Sequence, residues 1–181
     1  MSGLIPSIAC NLDSYILSAS LKLFEEEKIG AIEWSFDTLN KINEVTDWFT
    51  ELINKYSLEN RLIGHGVFFS IFSGKWSIEQ QQWLNELKLL TTKFRFDHIT
   101  EHFGFTTGKN FHHGAPLCVP FSKTTLNIGR DRLARIYDTC QCPVGLENLA
   151  FSYSIEDVKK HGDFLGTPYR TYQWLHHPGF A

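Results

Sequence analysis

Phe94–Phe105, FRFDHITEHFGF, is the stretch that decides the fold. Phe96 to Thr100 reads as a buried strand, and it ends on two side chains able to bind a metal, Glu101 and His102. Two other stretches share this construction. Arg61–Ser70, RLIGHGVFFS, runs apolar and then delivers His65. Cys142–Ala150, CPVGLENLA, runs apolar and then delivers Glu147 and Asn148. Each follows a helical-looking segment. Functional residues at the C-terminal ends of parallel strands are how a (β/α) barrel builds its site. A single histidine at a strand end is usually a hydrogen-bonded core or rim residue. His, His and Glu at three matched ends predict a metal site of nitrogen and oxygen ligands.

Working outward, the alternation of strand and helix continues in both directions. Strands are predicted at Ile5–Ala9, Ala31–Trp34, Leu62–Gly64, Phe96–Thr100 and Pro143–Leu146. Asp13 caps a first helix that runs through Glu27 and is ended by Gly30. Trp48, Phe49, Leu52, Ile53 and Tyr56 mark one face of a second helix. Ser77 and Gln80 form a capping box for a third, faced by Trp83, Leu84, Leu87 and Leu90. Thr124 or Thr125 starts a fourth helix, reaching Tyr137, and Ser154 caps a fifth. About five β/α units imply a parallel sheet with helical crossovers, an incomplete (β/α) TIM-type barrel. Gly104 to Pro120 reads as a long loop with three glycines, two prolines and His112–His113. Loops of that length in compact domains are often functional.

Composition narrows the class. The chain has 181 residues and is 43% hydrophobic, enough for one domain with a core. A formal net charge of −3 with no basic block argues against a nucleic-acid surface. The four cysteines lack disulfide-framework spacing, so a reducing compartment is expected. Cys140 and Cys142 form a C-x-C with no second pair, and they read as structural thiols. No positively charged segment precedes an apolar run at the start of the sequence and no run approaches a membrane span, so a cytoplasmic location is expected.

GHGVFFS, ITEHFGF, the VPFSKTTL…RDRLARIY helix and CPVGLENLAFSY, in this order and spacing, resemble the methanobactin-biosynthesis oxidase family. That family includes MbnB- and TglH-like enzymes and is also known as domain-of-unknown-function family 692. The resemblance covers Ile5 to about Leu165. It implies a xylose-isomerase-like barrel holding two or three iron ions. It also implies dioxygen-dependent modification of cysteines in ribosomally made peptides, usually with a partner protein that presents the peptide. By resemblance His65, His102 and Glu147 are iron ligands, with Glu147 the bridging one. Glu33 matches an acidic position near the same pocket. Glu101 and Asn148 match residues beside the metals or in the substrate pocket, and Glu33, Glu101 and Asn148 are the candidate catalytic residues. Read from the residues alone, Glu101 could cap the loop or pair with Arg95 or Lys109, and Glu33 could pair with a basic side chain. His98 is expected outside the barrel. Two other functions stay open: a divalent-metal isomerase or hydrolase on the same kind of barrel, and a non-catalytic fragment.

From Gly166 the pattern fails. GTPYRTYQWLHHPGFA has no apolar periodicity, so the chain is read as a partial barrel, 1–165, and an irregular tail, 166–181. The resemblance puts further metal ligands on later strands, so a truncated, poorly active and aggregation-prone form is expected, with partial iron loading or none. Back-translated with a suitable choice of codons and with one base dropped, the tail reads EHLIEPINGFIILDL. That peptide ends a helix at proline and continues as an apolar strand closing on Asp. The tail is therefore expected to be a frameshifted reading of a longer gene.

Overall fold

The computed structural model describes residues 5–10, 13–38, 46–108, 111–119 and 122–147. Its main sheet contains β1 (Ser7–Ala9), β2 (Ala31–Trp34), β3 (Leu62–Gly66), β4 (His98–His102) and β7 (Val144–Glu147). They lie in the order β1-β2-β3-β4-β7, every neighbouring pair parallel. Helices α1 (Ser14–Glu25), α2 (Asp47–Leu58), α3 (Ile78–Lys93) and α4 (Lys123–Cys140) make the crossovers. The five strands form an open sheet, consistent with an incomplete β/α barrel.

The sheet separates an apolar face from a polar one because successive side chains alternate. Ile32, Trp34, Leu62, Ile99 and Val144 are buried on the helix side. Phe49 and Ile53 of α2, Leu84 and Leu87 of α3 and Ile136 of α4 complete this core. Trp34 is its centre: Phe49 and Phe94 meet its ring edge-on at centroid distances of 6.5 and 5.6 Å. Burying one such large apolar side chain stabilises by about 1.5–3 kcal/mol. The opposite face carries the residues that alternate with these, among them Glu33, His65, His98, Thr100, His102 and Glu147. The apolar core therefore fixes which side of the sheet the polar residues occupy.

Two glycines in GHG serve packing. A Cβ on Gly64 would lie 2.4 Å from Ile99 Cδ1, and one on Gly66 would lie 2.7 Å from Trp83 Cζ2. β3 thus sits against its neighbours with no room for a side chain on that face, while His65 between them projects to the other.

The helix boundaries agree with the sequence in kind and differ in detail. The Asp13 cap and the Ser77–Gln80 capping box are present. α1 ends at Glu25, before the predicted Glu27 and Gly30, where Glu27 takes a left-handed backbone with φ 53°. α4 is capped by Ser122 and runs from Lys123 to Cys140. The larger correction concerns Gly104–Pro120. Within it β5 (Phe105–Gly108) and β6 (Phe111–Leu117) pair antiparallel as a hairpin, where a loop was expected. Phe105, Thr106 and Thr107 are β-formers. Gly108 lies at the far end of β5, and Pro116 is tolerated because a two-stranded ribbon leaves one edge of each strand outside the ladder. His98 is a second correction. It shares its face with Thr100 and His102, because the face away from the helices is the polar one.

Candidate metal centre

β3, β4 and β7 are adjacent and in register, so their C-terminal ends lie side by side. Thr100 is level with His65 across β3–β4, and His102 is level with Glu147 across β4–β7. One ligand atom from each of His65, His102 and Glu147 lies within 4.8 Å of the others. The two imidazoles meet nearly perpendicular, their centroids 4.9 Å apart.

Thr100 joins the set, although the sequence reading passed over it as strand interior. Its hydroxyl donates to Glu147 Oε1 at 2.5 Å and lies 2.9 Å from His65 Nδ1. His65 Nδ1 is itself 3.0 Å from Glu147 Oε1. These contacts set the charges. The His65 hydrogen bond, opposed by burial and helped by Thr100, holds Glu147 down at about 2. Burial alone would lower the pKa of His65, but the Glu147 hydrogen bond and charge outweigh it and the net shift is upward. Burial and the His65 charge lower the pKa of His102, with Glu147 and the Val67 backbone opposing. Glu147 is thus an anion and His102 is held towards the neutral imidazole, the two forms that ligate metals.

The loop after β3 is fixed by two carboxylates from different elements. Asp37 Oδ2 accepts from the Val67 N–H at 2.8 Å, the Phe68 N–H at 2.9 Å and the Trp83 Nε1–H at 2.7 Å. Glu101, 1% exposed, accepts from the Phe69 N–H at 2.9 Å and from the His102 N–H at 2.7 Å. The Ser70 backbone adds to the hold on Glu101. Consecutive backbone donors from Val67 to Ser70 therefore terminate on carboxylate oxygens, and the chain leaves this loop at Ser70 with φ 58°. Burial, and then the Asp37 charge, push the Glu101 carboxyl well above its usual range, while the backbone donors pull it back. Asp37 went unremarked as a ligand or anchor in the sequence because it lies in a linker, and no pattern marks which turn aspartate will reach a neighbouring loop.

Three of the six candidate residues converge, two do not and one lies outside the described residues. His65, His102 and Glu147 are brought together. Glu33 lies on the same face, near enough that Glu147 raises its pKa after burial does, while His65 and His98 lower it. Glu33 is outside the three-residue cluster. Glu101 alternates onto the helix side and its carboxylate is occupied by backbone donors. Asn148 lies outside the described residues, as does the tail. His112 is exposed.

The cluster fits a metal ion. It offers two imidazoles and a carboxylate, and His102 Nδ1 is buried with no hydrogen-bond partner among the described residues. A buried nitrogen without a partner is costly unless something completes it. No helix among the described residues is long and apolar enough to cross a membrane.

A parallel β/α sheet with a His/His/Glu cluster at its C-terminal edge is an incomplete β/α barrel scaffold carrying a group of side chains able to hold a metal ion. Residues 29–166 match the family described as RiPP precursor modification enzyme MbnB/TglH/ChrH, and the chain belongs to that family. Such enzymes act on ribosomally synthesised precursor peptides. A search of curated proteins gives no match.

Proposed function

We propose that the protein is an iron-dependent oxidase of cysteine residues in a ribosomally made peptide, with His65, His102 and Glu147 as metal ligands. The convergence of these three side chains within 4.8 Å at neighbouring strand ends carries this reading. Nitrogen and carboxylate donors with open positions suit iron, which when bound supplies a redox centre accessible to dioxygen and a thiolate. The chain's own residues prepare the site. Thr100 orients Glu147 through its hydroxyl and, through the contact with Nδ1, the His65 ring. Asp37 and Glu101 position the loop that follows His65, and Glu101 in addition holds the His102 backbone. We assign Glu101 this positioning role. Glu33 supplies a carboxylate on the same face for the substrate side, and Asn148 follows Glu147 directly in the chain. A peptide-presenting partner protein, further ligands on later strands and a cytoplasmic location belong to the same reading.

The test is anaerobic reconstitution with Fe(II), followed by metal analysis and oxygen uptake with cysteine-containing precursor peptide. Wild type should bind iron, and His65→Ala, His102→Ala and Glu147→Ala should each lose most of it. Equal iron content in all four proteins would remove the ligand assignment. Turnover of a sugar or hydrolysis of an ester without oxygen uptake would favour the isomerase or hydrolase chemistry instead.

A further inference from the structure

A second group of reactive side chains lies at the opposite end of the sheet. Cys140 is the last residue of α4, and Cys142 lies just before β7. Gln141 between them adopts a left-handed backbone, φ 55° and ψ 27°. This is a conformation that a non-glycine residue rarely takes without a reason. The turn folds the two cysteines back on each other. Cys140 Sγ is 3.6 Å from the Cys142 carbonyl and 3.9 Å from the Tyr137 carbonyl. Both thiols are free.

They border a cavity of about 550 Å³ at the N-terminal ends of β4 and β7, whose lining also includes Lys93, Arg95, Asp97 and Gln141. The cavity is at the opposite end of the strands from His65, His102 and Glu147, none of which lines it, so it is not part of that site. Both cysteines are in its lining, and its two cationic side chains outnumber the one carboxylate, Asp97, which favours an anionic solute. The sequence alone suggested inert structural thiols. What changes that reading is the juxtaposition across the Gln141 turn together with the cavity.

We propose that Cys140 and Cys142 form a reversible dithiol–disulfide site, oxidised by a small anionic disulfide such as glutathione disulfide entering this cavity. The Cys140 thiolate attacks one sulfur of the incoming disulfide, forming a mixed disulfide and releasing one glutathione thiolate, which takes up the Cys140 proton. Cys142 then attacks the Cys140 sulfur, its proton passes to solvent base, and the second glutathione leaves. Two protein thiols are oxidised and one external disulfide is reduced to two thiols. Cys140 is the attacking group because its interaction with Cys142 favours the Cys140 thiolate. That interaction, against the opposing effect of burial, lowers the pKa of Cys140, and together with burial it raises that of Cys142.

This site is independent of the proposed function and is tested without metal or peptide substrate. The full chain is incubated with glutathione disulfide, quenched with acid and digested with trypsin. The peptide Ile136–Lys159 contains Cys140 and Cys142 and no other cysteine. In wild type it should lose two hydrogens and regain them with dithiothreitol. In Cys142→Ser the same peptide should carry one stable glutathione adduct on Cys140. An unchanged peptide, or an adduct on wild type that never resolves to the internal disulfide, would overturn the proposal. An adduct appearing as fast in Cys140→Ser as in Cys142→Ser would overturn the assignment of the attacking thiol.

Discussion

The Glu147 carboxylate lies 3.0 Å from Nδ1 of His65, and each shifts the other's protonation in the direction that favours an ion pair. The pair gives the metal-free protein a defined pH signature. Glu147 falls from 4.5 to about 2, so its contribution is present above pH 4.5 and is lost as pH falls towards 2. His65 is raised above 6.5, so its contribution is complete below pH 6.5 and is lost as pH rises through the higher folded value. Melting temperatures of wild type and Glu147→Gln should therefore differ most between pH 4.5 and 6.5. The difference should shrink on both sides. A pH-independent difference would mean that the two side chains do not titrate together.

Thr100 ties both members of this pair, and its removal should be felt at the metal. Thr100→Val keeps the shape and deletes the hydroxyl that donates to Glu147. Loss of an outer hydrogen bond to a metal ligand costs about 10–100-fold in affinity. Thr100→Val should lower metal affinity by this factor, measured by competition with a chromophoric chelator, while Thr100→Ser retains most of it. A Val variant with wild-type affinity would show that the hydroxyl orients nothing.

The carboxylate grip on the loop after β3 predicts large effects at two residues far apart in sequence. Asp37→Ala leaves the Val67 and Phe68 N–H groups and the Trp83 indole without their acceptor, at a cost of about 1–3 kcal/mol for each group that stays buried and unpaired. Glu101→Gln places an amide donor against backbone donors at a fully buried site and should destabilise by about 1–3 kcal/mol or more. Urea denaturation measures both. Because the two carboxylates hold one loop, the double variant should cost less than the sum of the single ones. Strict additivity would indicate that the loop is not a shared element.

Much of this was legible in the sequence, and the limits have physical reasons. The five strands were found because each is a short apolar run between helix-period segments. The convergence of His65, His102 and Glu147 could be expected because each is a polar residue ending such a run. Those apolar runs pack one face of the sheet against the helices, which forces the alternating polar residues together on the other. What stayed hidden depends on contacts across the chain. The destination of Asp37 thirty residues on, and Thr100 as a link between His65 and Glu147, leave no local trace. The β5–β6 hairpin was masked by glycine and proline, which mark loops and ribbons alike. Glu101 and His102 are neighbours in sequence and equally suited to metal, yet strand alternation sends them to opposite faces.

The close packing of β3 gives a further prediction. A methyl group on Gly66 would meet the Trp83 ring at 2.7 Å, and one on Gly64 would meet Ile99 at 2.4 Å with Phe96 and Phe36 close behind. Overpacking of this kind costs about 1–3 kcal/mol. Gly64→Ala should be the more damaging, because its neighbours are packed into the core and cannot swing away. Both variants should be less stable to urea than wild type, and Gly66→Ala should also weaken metal binding, because it sits between His65 and the gripped loop. Unchanged stability in Gly64→Ala would contradict the strand packing.

The tail provides the last prediction. The family match stops at residue 166, the position where apolar periodicity is lost. We propose that 166–181 is read out of frame. The composition of this segment supports the idea: GTPYRTYQWLHHPGFA offers neither a helix face nor an alternating strand. A single-base offset, with codons chosen freely, converts it to EHLIEPINGFIILDL. There a helix stops at proline, as its lost N–H and ring clash require, and a buried-strand sequence follows that closes on Asp. An Asp at a strand end would add an oxygen ligand to a set that now has two nitrogens and one carboxylate. Because the codons are free, the sequence of the locus decides. A one-base offset near the codon for Leu165, followed by a long open frame encoding further strand and helix segments, is the expected result. The restored chain should then bind metal more tightly than the 181-residue form in side-by-side chelator competition. A stop codon soon after the offset, or no offset at all, would rule the proposal out.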